Sequence, residues 1–252
     1  MEWVLLIWNS NWSLFLLGAR NTLFIALTGT IIGFGIGIVI GIIRTIPIDE
    51  NSHPLTRIAY KIGNFLLLCY IEIFRCTPMI VQAMVIFYGA AWIYNIHLSP
   101  ISAGVFIVSI NTGAYMAEIV RGGILSVDKG QFEAAHSIGM THFQTMASIV
   151  LPQAIRNILP ATSNEFVINI KDTSVLSVIS VTELFFLSKS AAGANFAFFQ
   201  TMSITCVIYF IMTFTVTRIL RYIEIKMDGP SVFTIHGSQT VPEAQIRIDN
   251  RE

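Results

Sequence analysis

Two carboxylates inside a long apolar run of this sequence could bind a positively charged group. The run spans residues 157–187 and is interrupted by Glu165, Lys171, Asp172 and Glu183, of which Glu165 and Asp172 are the candidates. Ionisable residues in apolar, membrane-type segments are costly to place and are therefore candidates for function. Glu165 is best placed to bind an ammonium or a guanidinium group, because it lies well inside the run. Asp172 precedes Thr173 and Ser174, and we expect this polar sequence to break the helix and expose backbone donors.

Neutral polar side chains in two other apolar runs could complete a binding site. Asn111 and Tyr115 are four residues apart, so a helix places them on the same face, one turn apart. Gln82 lies in the preceding run and, like Asn111, can both donate and accept hydrogen bonds. With the two carboxylates these residues form the predicted substrate pathway, which comprises Gln82, Asn111, Tyr115, Glu165 and Asp172.

The composition requires a membrane-embedded framework around these residues. The chain has 252 residues, of which 54% are hydrophobic and only 12% are charged, whereas charged residues make up about 25% of an average soluble protein. Too little polar surface remains to cover a soluble core, so a water-soluble enzyme is excluded. The 15 basic and 15 acidic residues give a formal net charge of zero, which leaves no basic surface for nucleic acid.

Sequence motifs of catalytic and metal sites are absent. The cysteines, Cys69, Cys76 and Cys206, lie in apolar runs without metal-ligand spacing, and the histidines are scattered. No HExxH, GxSxG or GxxxxGKS/T pattern occurs. We therefore predict that this chain has no catalytic residue, no bound metal and no ATP site of its own.

Five apolar runs predict an all-α membrane protein with about five transmembrane helices. At about 1.5 Å per residue, a helix of some 20 residues crosses a hydrocarbon core of about 30 Å. The predicted spans are residues 22–43, 76–96, 98–117, 157–187 and 190–217. Segment 55–74 mixes charged residues with leucines, and we expect it to form a helix at the cytoplasmic interface.

The distribution of basic residues predicts the orientation of the spans. Basic residues follow the first, third and fifth runs: Arg44, Arg57, Lys61, Arg121, Lys129, Arg218, Arg221 and Lys226. By the positive-inside rule the N-terminus is outside and the C-terminus is cytoplasmic. We divide the chain into an extracellular or interfacial segment (1–20), a transmembrane domain (21–226) and a polar cytoplasmic tail (227–252).

Two Glu-x-x-Arg sequences place opposite charges on one helix face. They pair Glu72 with Arg75 and Glu118 with Arg121. Pairing reduces the cost of a charge at the centre of a membrane, which is roughly 2.5–3.5 kcal/mol on insertion scales. We interpret both as structural ion pairs near the cytoplasmic boundary, with a gating or inter-subunit role as the alternative.

Glycines recur at every fourth residue of the first span. They are Gly29, Gly33, Gly37 and Gly41. A stripe of small residues lets another helix approach closely, because packing rather than hydrophobicity drives association in lipid. We favour packing against a helix of the same chain over docking of another subunit.

The polar connection after the third span, at about 128–145, contains a short predicted helix. We expect this helix at 131–138, ended by Gly139 in the left-handed conformation. With Ala134 and Ala135 exposed, it would offer a small-residue surface that fits a cleft of a cytoplasmic partner. Pro152 is predicted to begin the next helix, at a position that needs no backbone donor.

The same connection carries a pattern that identifies a family. The pattern Glu-Ala-Ala, three residues, Gly, nine residues, Ile-x-Leu-Pro is matched by Glu133, Ala134, Ala135, Gly139, Ile149, Leu151 and Pro152. It resembles the coupling loop of ABC-importer permeases. Segments 70–78, 111–118, 164–174 and 177–184 resemble the polar-amino-acid subfamily, which includes histidine, glutamine and arginine permeases. The resemblance covers about 21–226, and Cys76 departs from it where the family usually has glycine.

This resemblance implies a type I import permease, a multi-pass protein of the cell membrane. Its function would be to translocate a polar amino acid, with a cationic amino acid as one alternative, in an ATP-driven importer. The implied partners are a cytoplasmic ABC ATPase dimer, a second permease subunit (identical or different) and an extracellular amino-acid-binding protein. ATP and magnesium would bind to the ATPase, and this chain would hold no cofactor. Glu133, Ala134, Ala135 and Gly139 would couple to the ATPase.

Two alternatives remain open at this point. The chain could be an ion-coupled secondary amino-acid transporter, although that class usually shows internal repeats and a longer chain. Glu165 and Asp172 could hold their helix against a second subunit instead of contacting a substrate.

Overall fold

Long apolar runs form the helices of the structure, a computed structural model that describes residues 2–47, 53–228, 234–236 and 245–247. The α-helices, numbered in chain order, are Glu2–Ile43 (α1), Pro54–Cys76 (α2), Met79–Tyr94 (α3), Pro100–Leu125 (α4), Lys129–Ser137 (α5), His142–Thr145 (α6), Leu151–Asp172 (α7), Leu184–Asn195 (α8) and Phe198–Asp228 (α9). A π-helical segment, Met146–Val150, joins α6 to α7, and a 3-10 segment, Thr173–Ile179, follows α7. Near the C-terminus, the strands Thr234–His236 (β1) and Gln245–Arg247 (β2) pair antiparallel.

Up to five membrane spans can be counted among the described helices. Three helical segments are long and apolar enough to cross a membrane alone: Leu6–Ile43, Pro100–Leu125 and Phe198–Met227. Two bent pairs qualify when each is taken as one span. The first joins α2 to α3 with a bend of 113°, and the second joins α7 and its 3-10 extension to α8 with a bend of 56°. This agrees with the prediction of about five spans.

Several predicted boundaries differ from the structure. Helix α1 is continuous from Glu2, so residues 2–20 extend the first span as one helix, and Phe15 within them is fully buried. The segment expected at the cytoplasmic interface is α2, which forms half of the first bent pair. The last predicted run is interrupted between α8 and α9 at Phe196, which has a left-handed backbone with φ of 49°. The residue at the break is neither glycine nor proline, and only Gly193 and Asn195 just before it are of types that favour a helix end.

Among the described helices, α1 and α4 make the most extensive contact. The glycine stripe of α1 lies against residues of α4 that also recur at every fourth position: Val108, Thr112, Met116 and Val120. A Cβ atom at Gly37 would approach Met116 Cβ to 2.3 Å, which is far closer than packed atoms tolerate. The stripe therefore serves helix packing within the chain, the interpretation favoured from the sequence.

Buried polar groups tie α1, α4 and α7 together beside this contact. The Asn169 side-chain amide donates hydrogen bonds to Thr30 Oγ1 at 2.8 Å and to Thr112 Oγ1 at 2.9 Å. All three residues are buried. Because buried polar groups are stable only when paired, this cluster fixes the relative positions of the three helices.

Glu183 is fully buried and begins helix α8. Its carboxylate accepts hydrogen bonds from the backbone N–H groups of Phe185 at 2.8 Å and Phe186 at 2.6 Å. The Tyr209 hydroxyl of α9 donates a third, at 3.0 Å. A carboxylate at a helix N-terminus satisfies donors that have no partner within the helix. Glu183 is therefore a structural residue of the polar sequence that interrupts the run 157–187.

Candidate functional site

A polar cavity of about 470 Å³ lies where the bend between α2 and α3 faces α4 and α7. Four of the five predicted pathway residues line it, namely Asn111, Tyr115, Glu165 and Asp172. The other lining residues are Arg75, Cys76, Thr77, Pro78, Met79, Ile168 and Asn169. Side chains from three separate parts of the sequence thus meet in one partly open cavity.

Helical periodicity places the four pathway residues. Asn111 and Tyr115 occupy successive turns of α4, and Glu165 and Asp172 lie seven residues, or two turns, apart on α7. Both spacings keep the side chains on one face of their helix. Glu165 is half-buried, whereas Asp172 is exposed at the end of α7, where the 3-10 segment begins. The cavity therefore has a wall of negative charge along α7.

Gln82 does not line the cavity, in contrast to the prediction. It is buried in α3, and its side-chain amide donates to the backbone carbonyls of Phe74 and Thr77, both at 2.9 Å. Its Oε1 atom accepts a hydrogen bond from Asn111 Nδ2 at 2.9 Å. The carbonyls at the end of α2 lack partners within that helix, and Gln82 supplies them. Its role is to hold the bend between α2 and α3.

Arg75 lies in the cavity wall and is not paired with Glu72. The Arg75 guanidinium carbon lies 5.6 Å from the centre of the Tyr115 ring, in cation–π geometry. Glu72 instead accepts a hydrogen bond from the Cys76 thiol at 3.4 Å. The predicted Glu72–Arg75 ion pair is therefore wrong. Arg75 occupies the last turn of α2, from which its long side chain reaches α4, and no local spacing reveals a partner 40 residues away.

Glu118 and Arg121 do form an ion pair, at 3.0 Å on α4. Arg44, just beyond the end of α1, also contacts the Glu118 carboxylate and makes a hydrogen-bonded ion pair with it. From the sequence, Arg44 was used only to orient the spans, and its contact with Glu118 was not predicted. The three charges join the C-terminal ends of α1 and α4.

The predicted coupling helix corresponds to α5. Asp128 caps its N-terminus by accepting a hydrogen bond from the Gly130 N–H at 2.7 Å. Gly139 follows its end with φ of 81°, the left-handed conformation expected there. Glu133 and Ala134 are exposed, but Ala135 is buried, in contrast to the expectation that both alanines face outward. Consecutive residues of a helix point in different directions, so the two alanines cannot share an outer face.

A comparison with family models decides the assignment. The model described as "binding-protein-dependent transport system inner membrane component" matches residues 57–228. The chain belongs to this family. It is a multi-pass membrane subunit of an ABC import system with the type I permease fold, and it is not itself an enzyme, because ATP hydrolysis is carried by a separate subunit. The comparisons do not favour an ion-coupled secondary transporter.

Characterised permeases resemble this family member over most of their length. The glutamine transport system permease protein GlnP of Escherichia coli K12 is 35% identical over 224 residues, which cover 87% of this chain and 97% of GlnP. The L-cystine transport system permease protein TcyB of Bacillus subtilis is 36% identical over 200 residues, covering 79% and 82%. The crystal structure of an amino acid ABC transporter with histidines matches at 34% identity and a TM-score of 0.75, covering 85% of this chain and 94% of that one.

The permease exposes two large apolar side chains beside α5. Ile138 is 78% exposed and Phe143 is 79% exposed. They lie in a polar connection between spans, and exposed apolar groups outside the membrane mark contact surfaces. The prediction of a contact surface rested on the small alanines and did not include these two residues. Hydrophobic residues before and after Gly139 can nevertheless be seen in the sequence.

Pro152 lies in the first turn of α7, as predicted, but the chain is already helical before it. The chain is helical from His142 onward, and the π-helical segment immediately precedes α7. The N–H of Leu151 bonds to the carbonyl of Met146, five residues earlier. Proline lacks a backbone donor, so the wider π turn accommodates Pro152 within a continuous helix.

Proposed function

We propose that this permease passes a polar amino acid through the cavity between α2, α4 and α7, as the membrane subunit of an ATP-driven importer. The convergence of Asn111, Tyr115, Glu165 and Asp172 on one space is the observation that carries the proposal. An amino acid needs hydrogen-bond donors and acceptors together with charges of both signs. Such groups are rare at membrane depth unless they serve a substrate.

The carboxylates determine which amino acids fit best. Glu165 binds the ammonium group in this proposal, and Asp172 adds a second negative charge two helical turns away. Two carboxylates favour a substrate with a cationic side chain. The relatives are named for glutamine and cystine, and the matching structure for histidines. The proposed class is therefore polar amino acids, with cationic ones included.

The proposed assembly combines two permease subunits, two ATPase subunits and an extracellular binding protein. This permease pairs with a second permease subunit, identical or different, and an extracellular protein delivers the amino acid. Two cytoplasmic ATPase subunits bind ATP and magnesium. Arg44, Arg121 and Lys226 lie at the C-terminal ends of α1, α4 and α9, on the side that we propose to be cytoplasmic, with the N-terminus outside.

Coupling depends on the packing around α5. In the proposal, Glu133, Ala134 and Gly139 dock in a groove of the ATPase. Phe132 of the same helix packs against an apolar cluster that unites α4, the π-helical segment and α7. The cluster consists of Val120, Ile124, Val127, Met146, Val150, Ala154 and Ile158. Because tightly packed elements move as a body, a push on α5 is transmitted to α7, which carries Glu165 and Asp172.

ATP-driven closure of the two ATPase subunits would bring two such α5 helices together. The permease pair then changes from an inward-facing to an outward-facing arrangement by rigid-body rotation. The cavity residues are exposed to one side of the membrane at a time. This is alternating access with the binding residues carried on moving helices.

Uptake in proteoliposomes tests the proposal. The permease is reconstituted with its ATPase and binding protein, and radiolabelled amino acids are offered outside. We expect uptake that requires ATP inside and stops when the ATPase cannot hydrolyse it. Uptake driven by an ion gradient in the absence of the ATPase would overturn the proposal.

A further inference from the structure

Arg75 is a positive charge in the cavity wall without a carboxylate partner of its own. Its guanidinium stacks over the Tyr115 ring. Among the described residues, the ion pairs involve Arg44, Glu118 and Arg121, and none includes Arg75. The neighbouring carboxylate, Glu72, is hydrogen-bonded to Cys76 instead. Arg75 thus lines the cavity as a cation without an ion pair among the described residues.

A guanidinium group is the side chain best matched to a carboxylate. Its planar fork donates two parallel hydrogen bonds to the two carboxylate oxygens, and such charge-assisted pairs are strong. The cation–π contact with Tyr115 leaves these donors unused. Arg75 therefore has donors to offer to a ligand that carries a carboxylate.

The negative charges of the cavity lie on a different helix from Arg75. Glu165 is within electrostatic range of both Arg75 and Asp172. The two carboxylates are separated by seven residues of α7, which is about 10.5 Å of helix rise. The cavity therefore presents a positive group on α2 and negative groups on α7, the arrangement that a zwitterion requires.

The backbone that carries Arg75 is held in place by side-chain hydrogen bonds. The carbonyl of Phe74, the preceding residue, accepts from Gln82 at 2.9 Å and from Asn111 at 3.3 Å. Gln82 also donates to Thr77 Oγ1 at 2.8 Å. These bonds tie the end of α2 to α3 and α4. The backbone position of Arg75 is therefore set by the fold rather than by a flexible loop.

We propose that Arg75 binds the α-carboxylate of the transported amino acid, and that the ring of Tyr115 positions it. The inference rests on the proposed function, since it concerns the same cavity. It adds a selection rule: the permease itself distinguishes an α-amino acid from the amine that lacks the carboxylate. Glu165 and Asp172 cannot make this distinction, because both ligands carry the ammonium group.

Binding to the permease–ATPase complex in nanodiscs tests this rule. The external binding protein is left out, so that its own selectivity does not contribute. Four amino acids are each compared with the amine left by decarboxylation. The pairs are arginine and agmatine, lysine and cadaverine, histidine and histamine, and glutamine and 4-aminobutanamide. For the pair that binds best, we expect the wild-type complex to bind the amino acid at least tenfold more tightly than the amine.

The Arg75→Gln variant should lose this preference. We expect its affinity for the amino acid to fall at least tenfold, while its affinity for the amine stays within twofold of wild type. Arg75→Lys keeps the charge without the planar fork, and its preference should lie between the two. Lys61→Gln removes the same charge from the distant, exposed part of α2 and should leave both affinities unchanged.

Three results would overturn the proposal. Arg75→Gln could keep the preference for the amino acid, which would show that Arg75 does not contact the carboxylate. It could lose both ligands equally while Arg75→Lys behaves like wild type, which would assign a structural role to the charge. A wild-type complex that binds no amino acid of the panel would contradict the proposed function as well as this inference.

Discussion

The buried carboxylate of Glu183 accepts a hydrogen bond from the Tyr209 hydroxyl at 3.0 Å and thereby joins the start of α8 to the middle of α9. The same carboxylate caps α8 through two backbone N–H groups. Glu183 is fully buried and Tyr209 is half-buried, so the carboxylate depends on its hydrogen-bond donors. The pair shows how this membrane fold uses charge for structure as well as for transport.

Removal of the Glu183 side chain should destabilise the permease. Glu183→Ala leaves two backbone donors and the Tyr209 hydroxyl unpaired, and we expect a loss of about 1–3 kcal/mol. Tyr209→Phe leaves the carboxylate with its backbone donors and should cost about 1 kcal/mol. Thermal unfolding in detergent measures both effects. Cys206→Ala changes an exposed residue of α9 and serves as the control, and equal stability of all three variants would contradict the expectation.

Replacement of Gly37 should separate α1 from α4. A methyl group at this position meets Met116 Cβ at 2.3 Å and Ala117 N at 2.9 Å, and overpacking of this kind typically costs about 1–3 kcal/mol. We expect Gly37→Ala to lower the thermal stability and the yield of monodisperse protein in size-exclusion chromatography.

Gly35 provides the matched control for that experiment. It lies two residues away on α1, and among the described residues no atom lies within 4 Å of a Cβ added there. Gly35→Ala should leave stability unchanged or raise it slightly, because alanine is the better helix former by about 1 kcal/mol. Equal losses at Gly35 and Gly37 would show that general helix perturbation, rather than the contact with Met116, causes the effect.

Substitutions in the coupling segment should separate ATP hydrolysis from uptake. Gly139 has φ of 81°, so Gly139→Val strains the turn after α5, whereas Gly139→Asn tolerates it. We expect Gly139→Val and Glu133→Ala to reduce the uptake per ATP hydrolysed about tenfold, roughly 1.4 kcal/mol of coupling, with basal hydrolysis retained. Parallel uptake and ATPase assays in proteoliposomes measure the ratio. An unchanged ratio in Gly139→Val would count against this segment as the coupling element.

Neutralisation of the carboxylates in the cavity should weaken substrate binding. Glu165→Gln and Asp172→Asn preserve shape and remove charge, and we expect each to reduce the affinity for the transported amino acid at least about tenfold, or roughly 1.4 kcal/mol. Glu72→Gln removes an exposed carboxylate that lies outside the cavity and should have no effect. If the Glu165 and Asp172 variants bind normally but dissociate from the second permease subunit, the carboxylates serve the interface instead.

Contacts between residues close in sequence were predictable, whereas contacts between separate helices were not. Periodicity placed Asn111 with Tyr115, because residues four apart on a helix share a face. The seven-residue spacing of Glu165 and Asp172 has the same consequence, but it was not used for a prediction. Periodicity could not reveal the contact of Arg75 with Tyr115 or of Arg44 with Glu118, which join separate helices. Spacing alone favoured the pair of Glu72 and Arg75, and the three-dimensional bend after α2 gave Arg75 a different neighbour.

The elements themselves were more predictable than their ends. The length of an apolar run predicts a span because a helix must cross the hydrocarbon core of the membrane. Gly139 predicts the end of α5 because glycine readily adopts the left-handed conformation. The break at Phe196 is made by a non-glycine residue with a left-handed backbone, which the apolar run does not reveal. The burial of Ala135 and the role of Gln82 likewise depend on tertiary contacts, which no local sequence pattern predicts.

Tyr115 can act in the cavity through its ring or through its hydroxyl, and two variants distinguish these roles. The sequence suggested the hydroxyl as a hydrogen-bond partner, whereas the structure places the ring beneath the Arg75 guanidinium. If the ring is what matters, Tyr115→Phe binds the amino acid within about twofold of wild type. Tyr115→Leu then loses a cation–π contact worth about 0.5–2 kcal/mol, and affinity falls about two- to thirtyfold. The loss should be confined to ligands with a carboxylate, because the proposal gives Arg75 no contact with any other group of the ligand. Equal losses in both variants would assign the function to the hydroxyl.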